Sequence, residues 1–224
     1  MLQGKPPLSF PSGEWQSLLA KAFTLLDAIA AQNISVPKWS LGGGTVLMFH
    51  YQHRLSKDID IFIPDPQFLG FVNPRLSNTA EQLTQNYDES TEYIKLRFNE
   101  GEIDFIATAP LTNAPYFEYE VLGRTIWLET PLEIVAKKMW HRGNIATARD
   151  LLDLCLVIEH IPEAFLPYKI IFTKHAHTFI TQCHARQAFL KPQFEQIDTL
   201  NFTKTYEECL AIVEVFLQDI GKKN

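Results

Sequence analysis

The chain is short of cysteine, of basic charge and of long apolar runs. Its three cysteines, Cys155, Cys183 and Cys209, are scattered and odd in number. That suits reduced core thiols in a cytoplasmic protein better than a disulfide framework. His175, His177, Cys183 and His184 match no common zinc spacing, and neighbours on a helix point apart. Twenty lysines and arginines stand against 26 acids, a net charge of −6. A general nucleic-acid binder is therefore not indicated, and any such contact needs a local patch. No segment approaches the ~20 apolar residues of a membrane span. The N-terminal MLQGKPPLSF lacks the basic start, apolar core and cleavage site of a signal peptide. There is no internal repeat and no low-complexity run.

What is present is apolar material for real cores, 46% of 224 residues. Trp15, Leu18, Leu19, Ala22, Leu25, Leu26 and Ile29 recur at helical spacing and predict a helix over 13–32. A short strand at 38–41 leads into glycines, and a helix follows over 45–51. A strand at 58–63 is stopped by Pro64 and Pro66. A polar helix is predicted at 77–85, then a β-hairpin from 92–98 and 102–108, and a last short strand at 125–128. After Thr130 and Pro131, a capping residue and a helix-starting proline, the pattern turns helical: 131–141, 146–159, 163–188 and 203–220. The reading is an α+β class chain: a small mixed sheet flanked by helices over 1–130, and a helical domain over 131–224.

The chemistry concentrates in LGGGTVLMFHYQHRLSKDIDIFI, Leu41 to Ile63. Residues i and i+2 of a strand share a face, so Asp58 and Asp60 form one carboxylate pair while Ile59, Ile61 and Ile63 pack the other side. Two adjacent carboxylates repel, and a divalent cation relieves that repulsion. Mg²⁺ typically takes one or two carboxylates together with substrate phosphates. Gly43 and Gly44 give backbone that can approach a phosphate, and the helix after them adds its positive end. Thr45 and Ser56 supply hydroxyls; His53, Arg54 and Lys57 supply positive charge. Each signal alone is weak. Their order is what carries weight: glycines after a strand, a helix, then alternating aspartates on the next strand.

The pattern G-G-x(13)-D-h-D-h, from Gly43-Gly44 to Asp58-Ile59-Asp60-Ile61, resembles the polymerase β-like nucleotidyltransferase superfamily. The longer string resembles the AbiEii/AbiGii toxin family more narrowly, through Gly43, Gly44, Thr45, His53, Arg54, Ser56, Asp58, Asp60 and Phe62, with Gln52 where glycine is usual. EIVAKKMWHRGNIATARDLLDL, Glu133 to Leu154, resembles the family's later signature. There Lys138 aligns with the family lysine, with Lys137 as the alternative, followed by Arg142, Arg149, Asp150 and Asp153. The resemblance covers about 38–160.

The resemblance implies a Mg²⁺- or Mn²⁺-dependent transfer of an NMP from an NTP to an acceptor hydroxyl. Asp58, Asp60 and Asp104 would hold metal, with Asp104 from a later strand as the third acid and Glu102 its competitor. Gly43, Gly44, Thr45, Arg54, Ser56 and Lys138 would hold the nucleotide, and Lys138 and Asp150 join the catalytic set. It also implies a toxin with a cognate antitoxin and a tRNA or other RNA acceptor. Lys137, Lys138, His141, Arg142 and Arg149 are the patch such an acceptor would meet, and Trp140 and His141 could stack on a base or line the domain junction. Rival readings are a small-molecule or protein nucleotidyltransferase, and a relative that binds nucleotide without turnover. A D-x-D glycosyltransferase needs a long nucleotide-sugar domain ahead of the motif, and only 57 residues precede Asp58.

Overall fold

Ile59, Ile61 and Ile63 are buried while Asp60 and Phe62 between them are not, and this alternation organises the sheet. The computed structural model describes residues 7–222, so the first six residues of the MLQGKPPLSF stretch lie outside the described residues. The elements are α1 Trp15–Ala30, β1 Ser40–Gly42, α2 Gly43–Tyr51, β2 Ile59–Ile63, α3 Leu69–Val72, α4 Asn78–Leu83, β3 Tyr87–Glu89, β4 Tyr93–Phe98, β5 Gly101–Ala107, β6 Tyr116–Val121 and β7 Arg124–Glu129. Then come α5 Pro131–Arg142, α6 Ala148–His160, α7 Lys169–Thr173, α8 Ala176–Ala185, α9 Gln187–Glu195 and α10 Tyr206–Lys222. The chain divides into two compact units. One comprises the residues up to His50, Ser56–Pro110 and Tyr116–Glu129; the other comprises Tyr51–Leu55, Leu111–Pro115 and the chain from Thr130 onward.

The first unit is built on one mixed seven-stranded sheet in the order β3-β4-β5-β2-β1-β7-β6. β1 runs antiparallel to β2 and parallel to β7, and β2 runs parallel to β5. Ile59, Ile61, Ile94, Leu96, Ile103 and Phe105 make the buried face together with the apolar stripe of α1. Val46 to Phe49 of α2 are all buried, so that helix lies inside the unit rather than on its surface. Trp15 and Phe49 meet edge to face at 4.7 Å between ring centroids. Of the strands, β3 and β6 were not legible, because Tyr87–Glu89 is three polar-rich residues and Tyr116–Val121 interleaves acids with aromatics.

The second unit is helical. Thr130 caps α5, accepting from the Glu133 amide at 3.4 Å, with Pro131 in the first turn. Thr147 caps α6 through the Asp150 amide at 3.1 Å. Glu133 is fully buried and accepts from the Leu111 and Thr112 amides at 2.9 and 2.8 Å and from the Thr112 hydroxyl at 2.6 Å. That is why the 111–115 segment groups with the helices. The predicted single helix over 163–188 is instead a 3-10 turn at Pro162–Tyr168, α7 and α8. Pro167 lacks the amide a helix interior needs, so the chain cannot run straight through. α9, which holds Pro192, was not predicted. All three cysteines are free and buried.

Candidate active site

In the first unit the acids come from neighbouring strands at matched register. Asp60 on β2 is paired across the parallel ladder with Asp104 on β5. Both point away from the isoleucine face, because their neighbours Ile59, Ile61, Ile103 and Phe105 point into it. The Asp104 carboxyl is pushed up to about 6, first by burial and then by the charge of Asp60, against the pull of Lys95. Its Oδ1 is buried without a hydrogen-bond partner. Its Oδ2 accepts from Lys95 Nζ at 2.7 Å. Asp58, two residues ahead of Asp60, accepts from the Glu102 amide through Oδ1 at 3.1 Å.

The glycines fit against these acids. Gly43 has φ of +69°, in the left-handed region, and a Cβ there would land on Asp60 Oδ2. Only glycine lets the start of α2 lie this close to the carboxylate. On the other side, a Cβ on Gly42 would meet Glu129 Oε2. Glu129 is a buried acid at the end of β7 whose Oε1 accepts from the Ser40 hydroxyl at 3.1 Å. Sequence reading did not single it out. Thr45, expected at the nucleotide, is fully buried. Its hydroxyl donates to the Asp58 carbonyl at 2.6 Å and lies 3.1 Å from the Ser56 hydroxyl. It braces the strand entry instead of facing a ligand. Ser56 is partly exposed.

Lys95 is the main addition to the expected set. It sits on β4 in register with Asp104 and donates to Glu102 Oε2 at 2.6 Å as well. Burial would lower its ammonium, but the bonds to Asp104 and Glu102 win and raise it. The expected hairpin, 92–98 with 102–108, has a three-residue loop; the observed two-residue loop Asn99–Glu100 sets Phe98 opposite Gly101 and so Lys95 opposite Asp104.

The second unit holds a buried ion-pair network. Arg54 Nε and Nη2 fork both oxygens of Asp153 at 3.0 Å, and His53 Nε2 lies 3.0 Å from Asp153 Oδ1. Lys138 Nζ donates to Asp150 at 2.8 Å and to Asp153 at 2.5 Å; Arg142 Nη2 donates to Asp150 at 2.7 Å. Burial would raise both aspartates, yet the adjacent Lys138, with Arg142 for Asp150 and Arg54 for Asp153, holds them low. Arg54 was expected at phosphate. It is 3% exposed, with its fork on Asp153, so its placement is structural. Lys137, the alternative to Lys138, is buried with its ammonium 3.6 Å from Glu133, which removes it from the expected surface patch. His141, Arg142 and Arg149 remain exposed. Lys174 Nζ lies 3.6 Å over the Trp140 ring, covering one of its faces.

Comparison with known proteins gives the family of the chain. The profile of the family described as "Nucleotidyl transferase AbiEii toxin, Type IV TA system" matches residues 24–214. The chain belongs to this family. It is an AbiEii-type nucleotidyltransferase. A solved candidate nucleotidyltransferase from H. pylori is similar in fold: TM-score 0.51, 14% identity, 95% of this chain and 96% of that one covered. JHP933 from Helicobacter pylori is similar with TM-score 0.49, 15% identity, and 94% and 93% coverage. MenT4, a nucleotidyltransferase toxin from Mycobacterium tuberculosis H37Rv, is similar with TM-score 0.42, 14% identity, and 94% and 85% coverage. No curated protein matches the sequence.

The family's chemistry raises the question of a divalent ion. Among the described residues no three acids, histidines or cysteines converge into a preformed metal cluster. The expected trio of Asp58, Asp60 and Asp104 is therefore not gathered as one ligand set; Asp58 is drawn to the Glu102 amide. The Asp60–Asp104 pair does fit Mg²⁺. It offers adjacent carboxylates and an unpartnered buried oxygen, and Mg²⁺ commonly completes its shell with phosphate and water. No helix of the described residues is long and apolar enough to cross a membrane.

Proposed function

We propose that this AbiEii-family enzyme transfers an NMP from an NTP to an acceptor hydroxyl with Mg²⁺ or Mn²⁺, and that the acceptor is RNA, tRNA foremost. The observation that carries the reading is the Asp60–Asp104 pair beside Gly43, where a side chain is sterically forbidden. Asp60 and Asp104 would hold the ion, with Asp58 adjacent in sequence. The ion would neutralise triphosphate oxygens and draw charge from the α-phosphorus. The backbone at Gly43 and Gly44, opening α2, receives the phosphates with its amides and helix end. Ser56 adds a hydroxyl. Asp104 would also be the group placed to help take the proton of the attacking hydroxyl. That oxygen bonds to the α-phosphorus, the α–β bridging bond breaks, and pyrophosphate leaves with the electron pair. Catalysis then rests on positioning and charge neutralisation.

For Lys138 at the nucleotide, and for Lys138 and Asp150 in the catalytic set, the family resemblance alone argues. A type IV toxin role, with a cognate antitoxin, is likewise proposed from the family description. The test is to incubate the protein with Mg²⁺, each α-³²P NTP in turn and total bacterial RNA, beside an Asp58→Ala/Asp60→Ala double variant. A tRNA-sized labelled band lost in the variant supports the reading and names the nucleotide. Label in protein or a small molecule instead of RNA moves the acceptor to one of the rival classes. No label with any NTP rejects transfer and leaves nucleotide binding without turnover.

A further inference from the structure

A ladder of alternating charge crosses one face of the sheet. Arg97 on β4 pairs with Asp88 of β3 and with Glu102 of β5, the latter at 3.1 Å. Lys95, two residues before Arg97, pairs with Glu102 at 2.6 Å and Asp104 at 2.7 Å. Asp104 then faces Asp60 across the parallel ladder. The ladder ends at the acid pair, and Lys95 is its last cation. Its side chain is 24% exposed and Asp104's is 19%, so water screens this contact only in part.

The contact is also one-sided. Lys95 occupies Asp104 Oδ2 and leaves Oδ1 buried with no partner. A divalent ion held at Oδ1 would thus not compete with the ammonium for the same oxygen. It must, however, settle beside a fixed positive charge. Lys95 offsets part of the negative charge that Asp60, Asp104 and Glu102 present to a bare cation. The same cation carried by a triphosphate brings its own compensating negative charge and meets no such barrier.

We propose that Lys95 is a built-in counter-cation that keeps the Asp60–Asp104 pair from taking a bare divalent ion, so that the metal enters as its nucleotide complex. Lys95 is a positioning residue, acting through Asp104 and not on the reacting atoms. The inference rests on the metal assignment made above for Asp60 and Asp104. A unit charge a few ångströms from a divalent ion changes its affinity by on the order of tenfold, even at the dielectric constant of water.

The test is Mn²⁺ binding to the whole protein without nucleotide, followed by electron paramagnetic resonance of free Mn²⁺. Lys95→Met is expected to bind Mn²⁺ about tenfold more tightly than wild type, and Lys95→Arg, which keeps the charge, to match wild type. Asp60→Asn is the control for the site. If Asp60→Asn weakens Mn²⁺ binding while Lys95→Met leaves it unchanged or weaker, the counter-cation role is overturned and the metal assignment stands. If Lys95→Met and the Lys95→Met/Asp60→Asn double variant bind Mn²⁺ alike, the metal assignment itself fails, and the Lys95 role with it. Thermal melts of each variant establish that the fold is retained, and a Lys95→Met chain that does not fold is replaced by Lys95→Gln. A second readout separates charge from packing: added NTP should erase the difference between Lys95→Met and wild type. A difference that persists with NTP bound contradicts the proposal.

Discussion

Asp153 shows how much of one residue's work can be structural. It is fully buried and receives a forked arginine, a lysine and a histidine. Asp153→Asn removes the carboxylate that Arg54 forks and leaves Lys138 with Asp150 alone; breaking a buried pair in this way costs about 3–5 kcal/mol in comparable cases. Asp150→Asn should cost less, because its partner Arg142 is 54% exposed and returns to water. Urea denaturation checks the order; equal losses would mean the network is not what holds these helices. A second residue sets a pH dependence. Burial lowers His50 to about 4 from 6.5, so the neutral ring is the form that folds. The stabilisation is complete above pH 6.5 and is lost as pH falls from there toward 4. His53 is lowered by burial as well and adds a slope of the same sign. A His50→Phe variant should therefore lose less stability than wild type between pH 7 and 5; identical slopes would contradict the assignment. At this scale the close approach of Gly43 to Asp60 was legible, because the glycine and D-x-D spacing is local. The role of Arg54 was not legible, because its partner is 99 positions away.

The elements explain why the glycine turn is intolerant. β1 ends at Gly42, α2 begins at Gly43, and Asp60 lies directly alongside. Gly43→Ala combines an unfavourable positive φ with a clash, so it should abolish transfer and destabilise the unit by more than about 1 kcal/mol. Transfer assays and melts of the variant check both parts; wild-type turnover would mean the turn is not at the phosphates. Helices with clear periodicity, α1, α5, α6 and α10, could be read from sequence because their signals lie within a few residues, with threonine caps at α5 and α6. The run from 163 to 188 could not, because its apolar residues persist across a proline and two turns. β6 was hidden by Glu118 and Glu120, which give it the look of a loop although it pairs along β7. The Lys95–Asp104 contact lay in between. It needed only the hairpin register, yet a strand lysine carries no motif.

For the whole molecule, an acidic chain acting on RNA must rely on a local cationic surface. With Lys137 buried, the exposed candidates of the expected patch are His141, Arg142 and Arg149. Arg149→Glu should weaken RNA retention and reduce the salt slope by about 1; unchanged binding would take RNA off this surface. Whatever the acceptor, the proposed enzyme moves the α-phosphorus of an NTP at the Asp60–Asp104 pair. The most direct measurement is to supply the same NTP labelled at the α- or at the γ-phosphate, with Mg²⁺ and total bacterial RNA, to wild type and to Asp60→Asn. The account predicts α-label in the product, γ-label released as pyrophosphate, and neither event with Asp60→Asn. γ-label in the product, or undiminished transfer by Asp60→Asn, would contradict it.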